Sequence, residues 1–359
     1  MSSSFVARSP GIQQYKIIKG CNLGKNDTLF TGSGIPSFDG ILGTGIPIGT
    51  VTCIHEDRPR SSSNFASSMI KCIISEGLYC EHYILFLDGV EPDAKTFLEG
   101  LPTPLKSQDS FSINDKEMKN ALPRDQKMTI AWRYKHLRQL DDEQIFSSGG
   151  SLSRKNDLRA YDLGRRLPDA LMKSHTIRSI SVFEDSFMER FFEATEQMVT
   201  KAKTEGAVLR IVVRSFASPF WPTNVKPALF IYRLRRLLSI YSENYLVFLT
   251  APVMSRSLIA DFEVQIDAIF ELQSFTGTPK EEERSLSEYE GFLRIVKPLR
   301  NPGLLSLAIP DSCDISFKLK KRQLIFEPFH MPPDLDQTPS LPAAAAAAAT
   351  ATATAISKD

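Results

Sequence analysis

The sequence predicts an α/β fold: a mostly parallel sheet flanked by helices, with antiparallel strands added at the C-terminal end. Three observations carry that expectation. Short apolar, β-branched runs alternate with amphipathic helical stretches between residues 51 and 250. After residue 291 the connections shorten to hairpin length, with no helical period between the strands. The first strand–loop–helix unit is also preceded by a segment with six glycines and two prolines between 32 and 49. Such punctuation reads as a turn-rich approach rather than as helix or strand interior.

The elements follow in order. Residues 1–28 are polar, rich in serine, and read as a disordered leader. Val51–His55 is a buried strand, and Ser61-Ser-Ser-Asn64 supplies N-cap chemistry for a helix over 61–76. Phe65, Met69, Cys72 and Ile73 share one face of that helix, and Gly77 reads as its stop. Tyr83–Leu87 is a second strand, ended by Asp88-Gly89. From 92 to 175 the pattern loosens, with a short strand expected at 129–134 and a Ser/Gly-rich loop at 147–154 whose hydroxyls suit phosphorylation.

A strong helix follows over 186–205, with Met188, Phe191, Phe192, Thr195, Met198, Val199 and Ala202 on its apolar face and Gly206 at its end. Val208–Val213 is the next strand, followed by Arg214. A helix over 226–242 buries Phe230, Leu234, Leu237, Leu238 and Tyr241. Tyr245–Thr250 and Ile269–Leu272 are further strands, and 276–288 is a charged loop. Phe292–Lys297 precedes a hairpin of Ile315–Leu319 and Gln323–Glu327. Residues 336–359 are Ala/Thr/Pro low complexity and read as a disordered tail, so 29–335 is the expected domain.

Composition excludes several classes. Net charge is +1, so nucleic-acid binding needs local patches rather than a global field. The five cysteines (21, 53, 72, 80, 313) show no C-x-x-C, which argues for reduced thiols in an intracellular protein. The five histidines are scattered and make no metal-ligand motif. No apolar run approaches the ~18 residues of a membrane span.

The position between Val51–His55 and the next helix is where a nucleotide-binding α/β protein carries its phosphate loop. Such a loop needs glycines, so that backbone N–H groups reach phosphate oxygens, a lysine for the terminal phosphates, and Ser/Thr for magnesium. Here it reads His55-Glu-Asp-Arg-Pro-Arg-Ser-Ser-Ser-Asn64, with no glycine and no lysine. Glu56 and Asp57 stand where they repel phosphate. The position is kept and its chemistry is missing: a degenerate phosphate loop. Backbone donors at the start of the helix remain able to hold a phosphate weakly.

Gly34-Ile-Pro-Ser-Phe-Asp39-Gly-Ile-Leu-Gly43-Thr-Gly45-Ile-Pro47-Ile-Gly49 resembles the lead-in of RecA/KaiC-type ATPases. With Glu56-Asp57-Arg58, Ala131–Lys135, Arg214–Trp221, Glu271–Phe275, Gly291–Lys297, Phe317–Arg322 and Glu327–Leu335, the chain resembles the Elongator family of RecA-like accessory subunits, in its fourth-subunit branch. The match runs in order from about 31 to 335, with Thr44 in place of a further glycine and an unusually basic Arg58–Asn64. The resemblance implies a RecA-like domain without catalytic residues in a hetero-hexameric ring with the fifth and sixth subunits. It implies work beside the catalytic Elongator core, binding tRNA for wobble-uridine modification, in cytoplasm and nucleus. It also implies no cofactor of the chain's own, with ATP left to ring interfaces. The same residues leave open an ATPase with an unusual nucleotide site, or a pure scaffold.

In active relatives the 208–213 strand ends in the magnesium-holding aspartate, and an acid ends a neighbouring strand. Here Arg214 replaces the first and Asp88 stands at the second, so Glu56, Asp57, Arg58, Asp88 and Arg214 are the expected remnant of the site. Asp88 reads first as an ordinary strand-to-turn acid. RNA contacts are expected from Arg58 and Arg60 and from Lys318, Lys320, Lys321 and Arg322. Those at Arg233, Arg235 and Arg236 rank below them. Phe216, Phe220 and Trp221, on a loop, are expected to face neighbouring subunits.

Overall fold

The computed structural model describes residues 18–24, 28–43, 45–56, 63–105, 159–172, 176–241, 244–252, 263–283, 286–299 and 315–329. The chain divides at Pro328 into two units, and the second, from Phe329, has that single described residue. The short strand expected at 129–134, the loop at 147–154 and the tail lie outside the described residues.

The strands are β1 (Cys21–Leu23), β2 (Leu29–Thr31), β3 (Ile46–Pro47), β4 (Thr50–Glu56), β5 (Tyr83–Asp88), β6 (Pro102–Pro104) and β7 (Tyr161–Arg166). They continue as β8 (Ile177–Ser181), β9 (Leu209–Arg214), β10 (Tyr245–Ala251), β11 (Ala268–Ser274), β12 (Gly291–Lys297), β13 (Ile315–Lys320) and β14 (Gln323–Pro328). The helices are α1 (Pro36–Ile41), α2 (Ser63–Tyr79), α3 (Ala94–Leu98), α4 (Asp169–Met172), α5 (Phe187–Glu205) and α6 (Pro227–Tyr241).

One nine-stranded sheet runs β14-β13-β12-β11-β4-β10-β9-β5-β8 among the described residues. From β11 to β8 every neighbouring pair is parallel, and β12, β13 and β14 are antiparallel additions. This is the expected architecture: a mostly parallel sheet flanked by helices, with C-terminal antiparallel strands. All four strands expected at its centre lie in it.

The central strands are buried on both faces, which is why they read as continuous apolar runs. Ile54, Ile84, Phe86, Val212, Leu246 and Phe248 meet α2 on one side. Val51, Leu85, Leu87, Ile211, Val213, Val247 and Leu249 meet α5 and α6 on the other. The antiparallel strands alternate more: Ile315, Phe317, Leu324 and Phe326 are buried in the core, while Lys318, Lys320, Gln323, Ile325 and Glu327 are partly or fully exposed.

Several expectations are corrected. The approach segment is not all turn: Pro36–Ile41 is a helix and Ile46–Pro47 a strand. Burial of Ile35, Phe38 and Leu42 overrides the glycine-rich propensity there. Within the expected leader, Cys21–Leu23 pairs antiparallel with Leu29–Thr31. Strand β8 and the small β6–β7 sheet have no strong sequence period and were not anticipated. Phe216 and Trp221 are buried, edge to face at 5.0 Å, beside Phe230. Of the three aromatics of that turn, Phe220 alone is exposed, against the exposed Phe183.

Gly77 does not end α2, which runs on to Tyr79. A Cβ there would lie 2.5 Å from Ile84 Cδ1 and 2.7 Å from Arg210 Cδ, so the glycine is a point of close approach. The Arg210 side chain is fully buried. Its guanidinium donates to His82 Nδ1 at 3.0 Å, Ile73 O at 3.0 Å and Thr31 Oγ1 at 2.7 Å. That set links the small β1–β2–β3 sheet to the main one.

Candidate functional site

The site is built at the carboxyl ends of the parallel strands, where open α/β sheets place their ligands. β4 ends in Glu56, which is buried. Asp57, Arg58 and Arg60 lie outside the described residues. β5 and β9 are parallel neighbours in a register that sets Asp88 beside Arg214.

Arg214 Nη1 donates to Asp88 Oδ2 at 3.3 Å and to Glu91 Oε1 at 3.1 Å. Its guanidinium also lies over the Phe97 ring, 4.3 Å from the centroid. The Asp88 side chain is fully buried; its Oδ1 accepts the Val90 N–H at 2.9 Å. Burial holds the Asp88 carboxyl above its usual range, while Arg214 and the backbone N–H groups of Val90 and Glu91 oppose that rise. The following turn is pinned against the same edge. Gly89 N donates to Arg214 O at 3.0 Å, Ser215 N to Thr250 Oγ1 at 3.0 Å, and Trp221 Nε1 to Ser215 O at 2.9 Å.

The chemistry of this arrangement is that of an internal ion pair. Arg214, at the carboxyl end of β9, engages Asp88 at the end of β5 and Glu91 from the next turn. Lys71 completes the cluster, its ammonium 5.1 Å from the Phe97 centroid. Glu91, Lys71 and Phe97 escaped the sequence reading because each belongs to an element whose face only the packing reveals. No group of histidine, cysteine or carboxylate side chains among the described residues is disposed to hold a metal.

The expected RNA contacts separate into two kinds. Lys318 is half-buried, paired with Glu327, and lies over Tyr289. Arg235 donates to Asp267 Oδ2 at 2.8 Å, whose same oxygen accepts the Val51 N–H at 2.8 Å, so it ties α6 to the start of β4. Arg233 is exposed but stacked over Phe192 at 4.8 Å. Arg236, Lys320, Lys321 and Arg322 are exposed. The structure brings Asp88 and Arg214 together; the hairpin cations and those of α6 are on separate elements.

Fold and site together define an α/β protein with a mostly parallel sheet, whose strand carboxyl ends carry an internal Arg–carboxylate cluster and whose 55–64 sequence has no glycine and no lysine. The chain belongs to the PAXNEB protein family, whose model matches residues 14–358. It is similar to Elongator complex protein 4 of Dictyostelium discoideum, 25% identical over 89% of this chain and 78% of that protein. The human protein of the same name is 26% identical over 88% of this chain and 80% of its own length. That of Schizosaccharomyces pombe is 25% identical over 90% and 91% respectively. The resemblance read from the sequence agrees with these relatives. Among solved structures, a KaiC-like protein from Pyrococcus horikoshii aligns at TM-score 0.45 and 14% identity, over 83% of this chain and 99% of that one.

Proposed function

We propose that this chain is a non-catalytic, RecA-like subunit of an Elongator-type assembly, with 29–335 as its working domain. In this reading it sits in a hetero-hexameric ring with two related RecA-like subunits, beside a catalytic core, in cytoplasm and nucleus. The ring binds tRNA and supports modification of the wobble uridine, and the chain carries no cofactor of its own.

The observation that supports the non-catalytic part is the contact of Arg214 with Asp88 and Glu91. A magnesium ion at that edge meets a guanidinium instead of a free carboxylate, and repulsion between the two cations disfavours it. The relatives' shared name supports the assembly part. Exposed apolar side chains on the outer face of α6 (Leu229, Tyr232 and Ile240), together with Phe183 and Phe220, supply area for neighbours.

The test is purification through a tag on this chain from its own cells, followed by calorimetry with Mg-ATP on the chain alone. Two related RecA-like chains should co-purify, and the isolated chain should give no heat of binding. Micromolar Mg-ATP affinity of the isolated chain, or purification without any such partners, overturns the reading.

A further inference from the structure

The hairpin cations do not stand alone. The backbone N–H of Leu163 on β7 donates to Arg322 O at 2.9 Å. The Arg322 side chain crosses Gly164, where an added Cβ would lie 2.5 Å from its Cδ. The hairpin tip therefore carries Lys320, Lys321 and Arg322 to the strand that holds Arg165 and Arg166, all five exposed. Arg166 stands opposite Pro102 in the β6–β7 pair, close enough to Lys71 for the two charges to act on each other. We infer that Lys71, Arg165, Arg166, Lys320, Lys321 and Arg322 form one basic band that takes the phosphate backbone of an RNA. The inference rests on the RNA role proposed above and assigns it a surface.

Three features support the band. First, its charges are largely uncompensated. Arg165 pairs with Asp162 at 3.4 Å, but Lys71, Arg166, Lys320, Lys321 and Arg322 have no side-chain ion pair among the described residues. Burial, followed by the nearby Arg214, holds Lys71 below its usual range, and Arg166 adds to this against Glu91. Second, the turn is held at a cost. Lys321 and Arg322 have φ of 49° and 65°, a left-handed pair that a two-residue hairpin turn demands and that glycine or asparagine fills more easily. Long cations in such a turn are retained against local stability, as functional positions often are. Third, the hairpin strands offer one large exposed apolar side chain, Leu319, too little for the apolar centre of a protein interface. Arginine forks suit phosphate oxygens.

The experiment uses the complex purified through this chain, a fluorescein-labelled tRNA transcript, and anisotropy across a salt series. One variant is Lys321→Asn/Arg322→Gly, which relieves the turn and so should melt higher while binding less. A second is Arg165→Gln/Arg166→Gln, and the control is Lys201→Gln/Lys226→Gln, exposed on α5 and just before α6. Each band pair should weaken binding about tenfold near 0.1 M salt. The slope of log K on log salt should become shallower by roughly 1.4 to 1.8, the share of two phosphates. The control should match wild type. Wild-type binding with unaltered band variants overturns the band and leaves the RNA role standing. No tRNA binding by the intact wild-type complex removes both. Loss of binding to polyglutamate, with tRNA binding unchanged, assigns the surface to an acidic protein and overturns the proposal.

Discussion

Arg214 and Asp88 face each other across adjacent parallel strands, guanidinium to carboxylate at 3.3 Å, at the carboxyl end of the parallel sheet. The carboxylate is fully buried and the arginine side chain is 13% exposed, so the pair is shielded from solvent. Shielding makes each partner depend on the other.

Arg214→Ala should therefore destabilise the chain by about 3 kcal/mol, the usual consequence of leaving a buried charge without its partner. Asp88→Asn/Arg214→Met should recover a large part of that loss, because neither charge then remains. Urea denaturation of Asp88→Asn, Arg214→Met and the double gives the coupling. Additive effects would show that the pair contributes nothing as a pair.

Neither Arg214→Asp nor Arg214→Ala should create Mg-ATP binding. Restoring an acid at the strand end supplies no glycine or lysine at 55–64, and both halves of a phosphate site are needed. Calorimetry on the full chain at millimolar nucleotide checks this, and a saturable heat in Arg214→Asp would refute it.

Gly77→Ala should destabilise the chain by about 1 to 3 kcal/mol, the range for overpacking a core. Helix propensity alone predicts the reverse, a gain of about 1 kcal/mol at a helix interior. The sign of the change in thermal midpoint thus separates close packing against Arg210 and Ile84 from intrinsic preference.

Two buried groups give opposed pH dependences. Asp39 accepts the Ser33 N–H at 3.0 Å and is pushed up to about 7, by burial first and by Glu76, with the Ser33 bonds and Arg210 opposing. The folded chain thus holds a proton that the unfolded chain releases above 3.8, so stability falls as pH rises from there to about 7. His82 is held down at about 3 by burial and Arg210, against its bond to Lys19 O. The unfolded chain protonates it below 6.5 and the folded chain does not, so stability rises with pH from about 3 to 6.5. The two slopes oppose each other across most of that range. Asp39→Asn should uncover the His82 slope: melting temperature rises with pH to about 6.5 and lies flat from there to 7, where wild type still declines. Identical curves for the two proteins would show that Asp39 titrates normally.

Legibility differed by element for physical reasons. Tyr83–Asp88 and Tyr245–Ala251 were plain as strands because both faces are buried and every residue must be apolar or small. The C-terminal hairpin was plain from strand spacing, although its turn is Lys321-Arg322 and carries no glycine. β8, with Arg178 and two serines, gave little signal because among the described residues it is an edge strand beside β5 alone. Phe216 and Trp221 looked like surface residues because loop position was the only guide. The turn in fact folds back over Phe230.

By itself the sequence determined the class of fold, the absence of glycine and lysine from 55–64 and the identity of Arg214 at a strand end. These are local properties: a period, a missing glycine, an identity at a strand end. Only the tertiary structure decided that Arg214 meets Asp88 and Glu91, that Gly77 makes room for a buried Arg210, and that Lys318 is paired while Lys321 and Arg322, beside β7, have no side-chain ion pair among the described residues. Each of these joins residues distant along the chain. Which charges pair and which remain available depends on sheet register and packing, and neither is written in the neighbourhood of any one residue.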